Sequence, residues 1–262
     1  MEESRNSAAI ILNRQNYKEN DTLVTVYTKN FGKLNLVARG TKKTKSKLAA
    51  HLEPLVLSDL MIIKGRGRDY IGAALVRNAY SGIRNDLNKI YYAGKALNLF
   101  NRLIKEGHPD ERLFFLLTRW LEVVDGFENQ SNKKESKNKN HDQGLSKENG
   151  ELLFAFFAFK LLAELGYQPE LYHCLGCGKE IKAGLNHFNF KNGGIIEEAC
   201  LDKKEFLELR YNGGILPISD NCVKLLRFIT DNKFASAGKL RVDKKLIKEL
   251  SIFVKNYIDF VA

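Results

Sequence analysis

Three cysteines in the C-terminal half of the chain have the spacing of metal ligands. Cys174 and Cys177 form a C-x-x-C pair, which Gly178 follows directly, and Cys200 lies further along the chain. A tight turn with free backbone N–H groups lets two such thiolates converge on one ion, as in a zinc knuckle. A four-cysteine ribbon has a second C-x-x-C after a spacer of roughly 15–20 residues. Nineteen residues separate Cys177 from Glu197, which therefore stands where the third thiolate would be.

The ligands predicted from this spacing are three thiolates and one carboxylate, and the predicted metal is zinc: Cys174, Cys177, Cys200 and Glu197. A carboxylate binds zinc less tightly than a thiolate in a sulfur-rich site, and His173 or His187 is an alternative fourth ligand. A ribbon without metal, held together by its apolar neighbours, is the other interpretation of the same residues. A thioredoxin-like redox role is not supported, because no βαβ pattern surrounds the pair.

A dense run of cations lies near the N-terminus. Within nine positions there are five basic residues, and no acid follows until Glu53: Arg39, Lys42, Lys43, Lys45 and Lys47. The 262 residues carry a formal net charge of +11. Lys and Arg that neutralise phosphates release condensed counterions, so this charge favours a polyanionic partner. Taken alone, a basic run of this kind is more often a solvated loop.

Five short β-rich segments in residues 8–77 surround this run. They are separated by polar or glycine-containing turns and read AAIILNR, TLVTVYT, KLNLVAR, LVLSDLMIIK and YIGAALVR. In the third segment Leu34, Leu36 and Ala38 share one face, as expected for a strand with one buried side. Five strands leave costly open edges unless the sheet closes. We therefore predict a five-stranded barrel of the oligonucleotide-binding (OB) type over residues 1–80.

An OB barrel binds nucleic acid across strands 2 and 3 and between the loops that join strands 1 to 2 and 4 to 5. The basic residues at these two loops are Arg14, Lys18, Lys64, Arg66 and Arg68. Because the run at 39–47 follows strand 3, three basic segments should converge on one side of the barrel. This convergence favours a nucleic-acid interface over three unrelated loops. Tyr17, Tyr27 and Phe31 are candidates for base stacking, although aromatic residues of a small barrel are more often core.

The remaining residues, 81–262, have the apolar spacing of helices, so the predicted fold class is α+β. We predict a helical domain that contains a disordered insert at 128–150 and a zinc-ribbon-like module at 172–200. The insert has almost no apolar residues to offset the entropy of ordering it. The following segment, 151–166, is apolar nearly all round and should be the buried centre of a bundle. Cys222 has helical spacing with apolar residues and is expected to be core.

The sequence lacks the motifs of common enzyme classes. There is no G-x-x-x-x-G-K-[ST] phosphate loop, no H-E-x-x-H and no G-x-S-x-G. His51-Leu52-Glu53 forms an H-x-E, but the cysteine pair follows His173 and not the proline of a zinc deaminase. A non-catalytic protein is therefore expected, with a zinc-dependent enzyme acting on nucleic acid as an alternative. The absence of a signal-peptide pattern and of apolar runs of about 18 residues predicts a cytoplasmic protein without membrane contact.

The chain resembles the RecO family of bacterial DNA repair and recombination mediators over nearly its whole length. The resemblance lies in the barrel segment VARGTKKTKSKLAAHLEPL, the helix YYAGKALNLF and above all FAFKLLAELGYQPELYHCLGCGKE followed by FNFKNGGIIEEAC. In the last part the apolar helix, a Gly-Tyr-x-Pro turn and the C-x-x-C occur in a fixed order. Glu197 departs from the family pattern, since zinc-binding members commonly have a cysteine there.

This resemblance implies an OB domain, a helical domain and a zinc-ribbon module that act without catalysis. Such proteins bind single- and double-stranded DNA and anneal complementary strands. With their partner RecR they help load recombinase onto DNA coated by single-stranded DNA-binding protein (SSB). The basic barrel residues would hold phosphates, and the helical domain would receive the acidic, hydrophobic tail of SSB. We therefore expect a nucleoid-associated DNA repair protein, the alternative being an adaptor that acts mainly through protein partners or RNA.

Overall fold

The protein folds into two compact units. The computed structural model describes residues 3–128 and 144–261, and the chain divides into the units Met1–Phe127 and Glu128–Ala262. Within the described ranges, the first unit holds a β barrel followed by helices, and the second holds helices and a small sheet. The predicted α+β class is confirmed.

The strands of the first unit close into a barrel in the order β1-β2-β3-β5-β4. They are β1 Ser4–Asn16, β2 Thr22–Thr28, β3 Gly32–Ala38, β4 Leu57–Ile63 and β5 Tyr70–Asn78. β1 is 13 residues long, and it pairs with β4 through residues 4–10 and with β2 through residues 9–16. A parallel pairing of Val37 with Tyr70 joins β3 to β5. The predicted five-stranded OB barrel is therefore confirmed.

Alternate side chains of the strands fill the barrel. Leu36 and Ala38 belong to its core, and Leu34 packs against it, as the alternation in the sequence predicts. Gly32 begins β3 with a φ of +68°, and a Cβ added there would lie 2.5 Å from the backbone oxygen of His108. Glycine is required at this position, because any side chain would collide with the segment that follows the second helix of the unit.

The helices of the first unit are α1 Ser81–Arg84, α2 Leu87–Leu103 and α3 Glu111–Asp125, and a short 3-10 helix, Ala49–Leu52, precedes β4. Asp86 and Asp110 cap α2 and α3, since their carboxylates accept N–H groups from the first turns. Trp120 of α3 is fully buried. The first compact unit thus extends beyond residue 80, where the sequence changes from strands to helices.

Two barrel side chains bind the helices directly. Tyr27 of β2 is fully buried; its hydroxyl accepts the Asp110 N–H at 3.2 Å and donates to the Asp110 carbonyl at 3.1 Å. The ammonium group of Lys33 in β3 donates to the carbonyls of Asn101 and Ile104 at 2.6 and 3.0 Å. A lysine from the barrel therefore satisfies backbone acceptors at the C-terminal end of α2, which its own helix leaves unpaired. Burial lowers the pKa of this ammonium group.

The second unit is built on the apolar helix that the sequence places at its centre. Its helices are α4 Lys147–Glu164, α5 Lys204–Tyr211, α6 Asp220–Asp231 and α7 Lys244–Val261, with 3-10 helices Glu198–Cys200 and Phe234–Lys239. Its sheet has the order β7-β6-β8, from β6 Asn186–Asn189, β7 Gly194–Glu197 and β8 Ile215–Ile218. Nearly every residue of α4 from 152 to 162 is buried, as predicted, and Cys222 is buried in α6.

Aromatic rings join the sheet of this unit to its helices. Phe188 of β6 has its ring centroid 4.6 Å from that of Phe253 and 5.6 Å from that of Tyr257, both in α7. Phe159 of α4 stacks on the same two α7 rings at 6.0 and 5.9 Å. Such pairs contribute beyond the area that they bury, so this aromatic cluster fixes how β6, α4 and α7 pack together.

The predicted disordered insert lies mostly outside the described residues. Residues 129–143 fall between the two described ranges. At its C-terminal end the prediction is wrong, because residues 147–150 form the first turn of α4. Ser146 begins this helix, its hydroxyl accepting the Asn149 N–H at 3.2 Å. Because the first turn of α4 is polar, the spacing of apolar residues does not indicate where this helix begins.

The buried hydroxyl of Tyr27 offers a test of the joint between barrel and helices. We expect Tyr27→Phe to lower the free energy of unfolding by about 1–3 kcal/mol, because the Asp110 N–H loses its partner away from water. Urea unfolding followed by the fluorescence of Trp120, the single tryptophan, measures this in the first unit. Tyr91→Phe, at a ring that is 60% exposed, is the control and should change stability by less than about 0.5 kcal/mol. Equal stability of the two variants would contradict the assigned role.

Candidate nucleic-acid interface and metal centre

The β1–β2 loop and the segment after β3 are held together by hydrogen bonds. The N–H of Gly40 donates to a carboxylate oxygen of Asp21 at 2.9 Å. The N–H of Lys42 donates to the carbonyl of Asn20 at 3.2 Å, and its ammonium group donates to the carbonyl of Lys18 at 2.8 Å. The basic run that begins at Arg39 is therefore tied to the first of the two predicted binding loops.

The β4–β5 loop reaches the same region. The N–H of Val37 donates to the carbonyl of Asp69 at 3.0 Å. The guanidinium carbon of Arg39 lies 4.0 Å from the ring centroid of Tyr70. The guanidinium carbon of Arg68 lies 6.0 Å from the ring centroid of Tyr17 in the β1–β2 loop. Contacts thus connect all three basic segments, as the OB topology predicts.

The predicted basic residues differ in how they are engaged. Apart from Arg14, all of them are exposed: Lys18, Arg39, Lys42, Lys43, Lys45, Lys47, Lys64, Arg66 and Arg68. Lys64 forms an ion pair with Glu3 at 3.0 Å. Arg14 is partly buried, pairs with the carboxylate of Glu53 and donates to the carbonyl of Ala49. Arg14 therefore holds the 3-10 helix against β1, and its charge is matched within the fold.

The expectation that aromatic residues of a small barrel are more often core holds for two of the three stacking candidates. Tyr27 is fully buried and serves the joint with α3. Phe31 is partly buried against the barrel core and lies beneath the guanidinium group of Arg5, 4.4 Å from its ring centroid. Tyr17 is exposed and lies among the basic segments. The sequence pattern did not distinguish the three, because burial depends on which face of each strand looks inward.

In the second unit the three predicted cysteine ligands come together. The Sγ atoms of Cys174, Cys177 and Cys200 all lie within 4.8 Å of one another. The N–H of Gly178 donates to the carbonyl of Cys174 at 2.8 Å, which forms the tight turn of a knuckle. Cys200 ends the 3-10 helix after β7. A Cβ added to Gly176 would lie 2.8 Å from the Cβ of Cys200, so a glycine here lets the two segments approach.

The electrostatic surroundings of these thiols differ. Burial alone would raise the pKa of Cys174, but N–H donors from Glu197, Gly176 and Cys177 outweigh it, and the pKa lies below its usual value. Burial, together with hydrogen bonds to the other two thiols, raises the pKa of Cys200 to about 11. Cys174 therefore ionises more readily than Cys200.

Glu197 approaches this cluster through both its backbone and its side chain. Its N–H donates to the Sγ of Cys174 at 3.4 Å, and its carboxylate oxygen lies 3.8 Å from the Sγ of Cys177. Tetrahedral zinc with bonds of about 2.3 Å to sulfur and about 2.1 Å to oxygen places such atoms about 3.6 Å apart. The three thiols therefore fit zinc, whereas the carboxylate of Glu197 lies near Cys177 and is not part of the group whose ligand atoms are all within 4.8 Å of one another. The two histidines face carboxylates instead: His173 faces Glu170 at 3.5 Å, and His187 faces Glu198 at 3.2 Å.

Two further observations concern the alternative of a zinc-dependent enzyme and the expectation of a protein without membrane contact. Glu53, the acid of the H-x-E pattern, has its carboxylate engaged by Arg14 in the first unit, whereas the cysteines belong to the second unit. Over the described ranges, no helix combines the length and the apolar character that crossing a bilayer demands.

Comparisons with known sequences agree with this architecture. The family model described as "Recombination protein O N terminal" matches residues 1–80, and the one described as "Recombination protein O C terminal" matches residues 143–261. DNA repair protein RecO of Dehalococcoides mccartyi strain CBDB1 is 30% identical over 253 residues, which is 97% of this chain and 88% of the relative. The RecO protein of Syntrophomonas wolfei is 30% identical over 249 residues, 95% of this chain and 88% of the relative.

These matches span both compact units, including the barrel with its converging basic loops and the module with the cysteine cluster. The chain belongs to the RecO family of DNA repair proteins.

Proposed function

We propose that this protein is a non-catalytic DNA repair and recombination mediator that binds single- and double-stranded DNA and promotes strand annealing. The observation that carries the proposal is the convergence of three exposed basic segments on one region of an OB barrel. Segments from distant parts of the sequence are joined there by hydrogen bonds of Asp21 and Lys42. Surface loops without a binding role would not be expected to converge in this way.

The chemistry of this surface suits phosphates more than bases. Lysine ammonium groups are mobile point charges that neutralise a phosphate backbone without reading its sequence. Lys43, Lys45 and Lys47 are all exposed, and their release of condensed counterions would supply sequence-independent affinity. Cations on one protein also screen the repulsion between two strands, which lowers the barrier to their pairing. Annealing therefore follows from the same charges that give binding.

Membership of the family supports the further parts of the proposal. We assign the protein to the cytoplasm at the nucleoid, with RecR as a partner and the acidic, hydrophobic tail of SSB as a ligand of the helical domain. Together with RecR it would help load recombinase onto SSB-coated single strands. Accelerated annealing of complementary strands coated with SSB tests this directly. Binding confined to RNA would favour the adaptor role instead.

We also propose that the cysteine cluster holds one structural zinc ion. The three thiolates would bind it, and the carboxylate of Glu197, 3.8 Å from the Sγ of Cys177, is the candidate for the fourth ligand. When bound, the ion would cross-link the turn at Cys174–Cys177 to the end of β7, which brings together segments more than twenty residues apart in sequence. A closed site of this kind stabilises a fold and does no chemistry.

The basic run predicts a specific change in the salt dependence of DNA binding. Simultaneous Lys43→Ala, Lys45→Ala and Lys47→Ala should weaken binding to single-stranded oligonucleotides. It should also reduce the slope of log K against log salt by about 2, since each phosphate contact to a single strand contributes about 0.7. Fluorescence anisotropy of a labelled oligothymidine at several salt concentrations measures both quantities.

The matched control removes three exposed lysines of α7, Lys245, Lys248 and Lys255, and so makes the same change in net charge. This variant should retain most of the affinity and nearly the same slope. Equal losses in the two triple variants would show that only net charge matters and would exclude the basic run as the interface. Wild-type protein that failed to bind oligonucleotides at low salt would refute the whole function.

Metal analysis tests the zinc proposal. Purified wild-type protein should contain about one zinc per chain, and Cys177→Ser should lose it, because two thiolates hold the ion far less tightly than three. Cys222→Ala, at a buried thiol outside the cluster, is the control and should keep its zinc. Glu197→Cys should bind zinc more tightly than wild type in competition with a chelator. Zinc-free wild-type protein purified in the presence of zinc would contradict the assignment.

A further inference from the structure

Tyr17 is set apart from the other aromatic residues of the described residues 3–80, which contain the barrel. Its ring is 42% exposed. The others within the described residues 3–80 are buried or partly buried: Tyr27, Phe31, Tyr70 and Tyr80. A single exposed aromatic ring is ordinary on a protein surface. The place of Tyr17 among the basic segments is what raises the question of what binds it.

The faces of this ring are only loosely occupied. The ammonium group of Lys18 lies 5.5 Å from the ring centroid of Tyr17, and the guanidinium carbon of Arg68 lies 6.0 Å from it. Both distances are at the outer limit of a cation–π contact, which is about 6 Å. By contrast, Arg39 packs against Tyr70 at 4.0 Å. Tyr70 thus positions a cation, whereas the two cations near the ring of Tyr17 are held only weakly.

The loop that carries Tyr17 is fixed in advance of binding. The backbone N–H groups of Tyr17 and Lys18 both donate to the carbonyl of Asp21, at 3.2 and 3.4 Å. The carboxylate of Asp21 in turn accepts the Gly40 N–H at 2.9 Å. The backbone position of Tyr17 therefore does not depend on a ligand, so binding has to order only the side chain and not the loop.

We propose that Tyr17 is a stacking platform for one unpaired nucleobase, so that this interface distinguishes single strands from duplexes. The inference rests on the proposed DNA-binding function and deepens it. A flat ring flanked by cations is complementary to a nucleotide, because the base packs on the ring while Lys18 and Arg68 are within reach of its phosphates. In a duplex the bases are stacked on each other and hidden, so only the cations remain useful.

This arrangement has a consequence for annealing. A base that is stacked on Tyr17 must leave the ring to pair with its complement. The single strands are then held by stacking and charge, whereas the paired product is held by charge alone. The protein binds its substrate more tightly than its product at this site, which favours release of the annealed duplex.

Two substitutions and a control test the proposal. Tyr17→Ala should weaken single-strand binding roughly 5- to 100-fold, the range that loss of one base–aromatic stack produces, and leave duplex binding within twofold. Tyr17→Phe keeps the ring and should retain wild-type values for both. Tyr167→Ala, at a ring of similar exposure (48%) in the second unit, should affect neither. Affinities are measured by anisotropy with an oligothymidine and a hairpin duplex of equal phosphate number.

A second measurement reports stacking itself. Single 2-aminopurine substitutions along the oligonucleotide should show one position whose fluorescence is quenched by wild-type protein and by Tyr17→Phe, but not by Tyr17→Ala. The inference is overturned if Tyr17→Ala binds single strands as tightly as wild type, or loses single- and double-strand affinity to the same degree. Either result leaves the proposed function standing as long as the lysine variant still weakens binding, whereas wild-type protein that binds neither form refutes both.

Discussion

The hydrogen bonding of β1 on both of its edges is the constraint on which the first unit depends. Its thirteen residues pair with β4 at one end and β2 at the other, and the parallel pairing of Val37 with Tyr70 then joins β3 to β5, so that the sheet closes into a barrel. Closure also decides which loops become neighbours. It brings the β1–β2 loop, the segment after β3 and the β4–β5 loop to one region, where Asp21 and Tyr70 then fix their separation.

Several cations of this basic protein are occupied in holding helix ends. Lys33 serves the carbonyls at the end of α2, Lys89 donates to the carbonyl of Asp125 at the end of α3 at 2.8 Å, and Lys160 donates to that of Thr230 in α6 at 3.2 Å. A lysine in this position satisfies an orphan acceptor and complements the negative end of the helix dipole. The net charge therefore overstates the number of cations that are available to bind a polyanion. The positions of the exposed cations indicate the binding surface better.

The sequence predicted those features that depend on local pattern, namely the strands and the cysteine ligands. It did not predict the contacts that depend on how distant segments pack together. Strand alternation gave the barrel, and the C-x-x-C spacing gave three ligands whose sulfur atoms do converge. The pairing of Arg14 with Glu53 links residues 39 positions apart, and no local pattern reports it. The burial of Tyr27 likewise depends on its contacts with the Phe100 ring of α2 and the Asp110 backbone. The start of α4 escaped notice because its first turn is polar, although Ser146 is a good N-cap residue.

The barrel is contiguous in sequence, and this has a consequence for how the protein is made. All its strand partners lie between residues 4 and 78, so the barrel can close once that stretch has left the ribosome, before any residue of the second unit is translated. Until Asp110 emerges, the hydroxyl of Tyr27 has only water as a partner. Docking of α2 and α3 then completes the unit, and an arrested or truncated chain would already carry the basic loops in their final order.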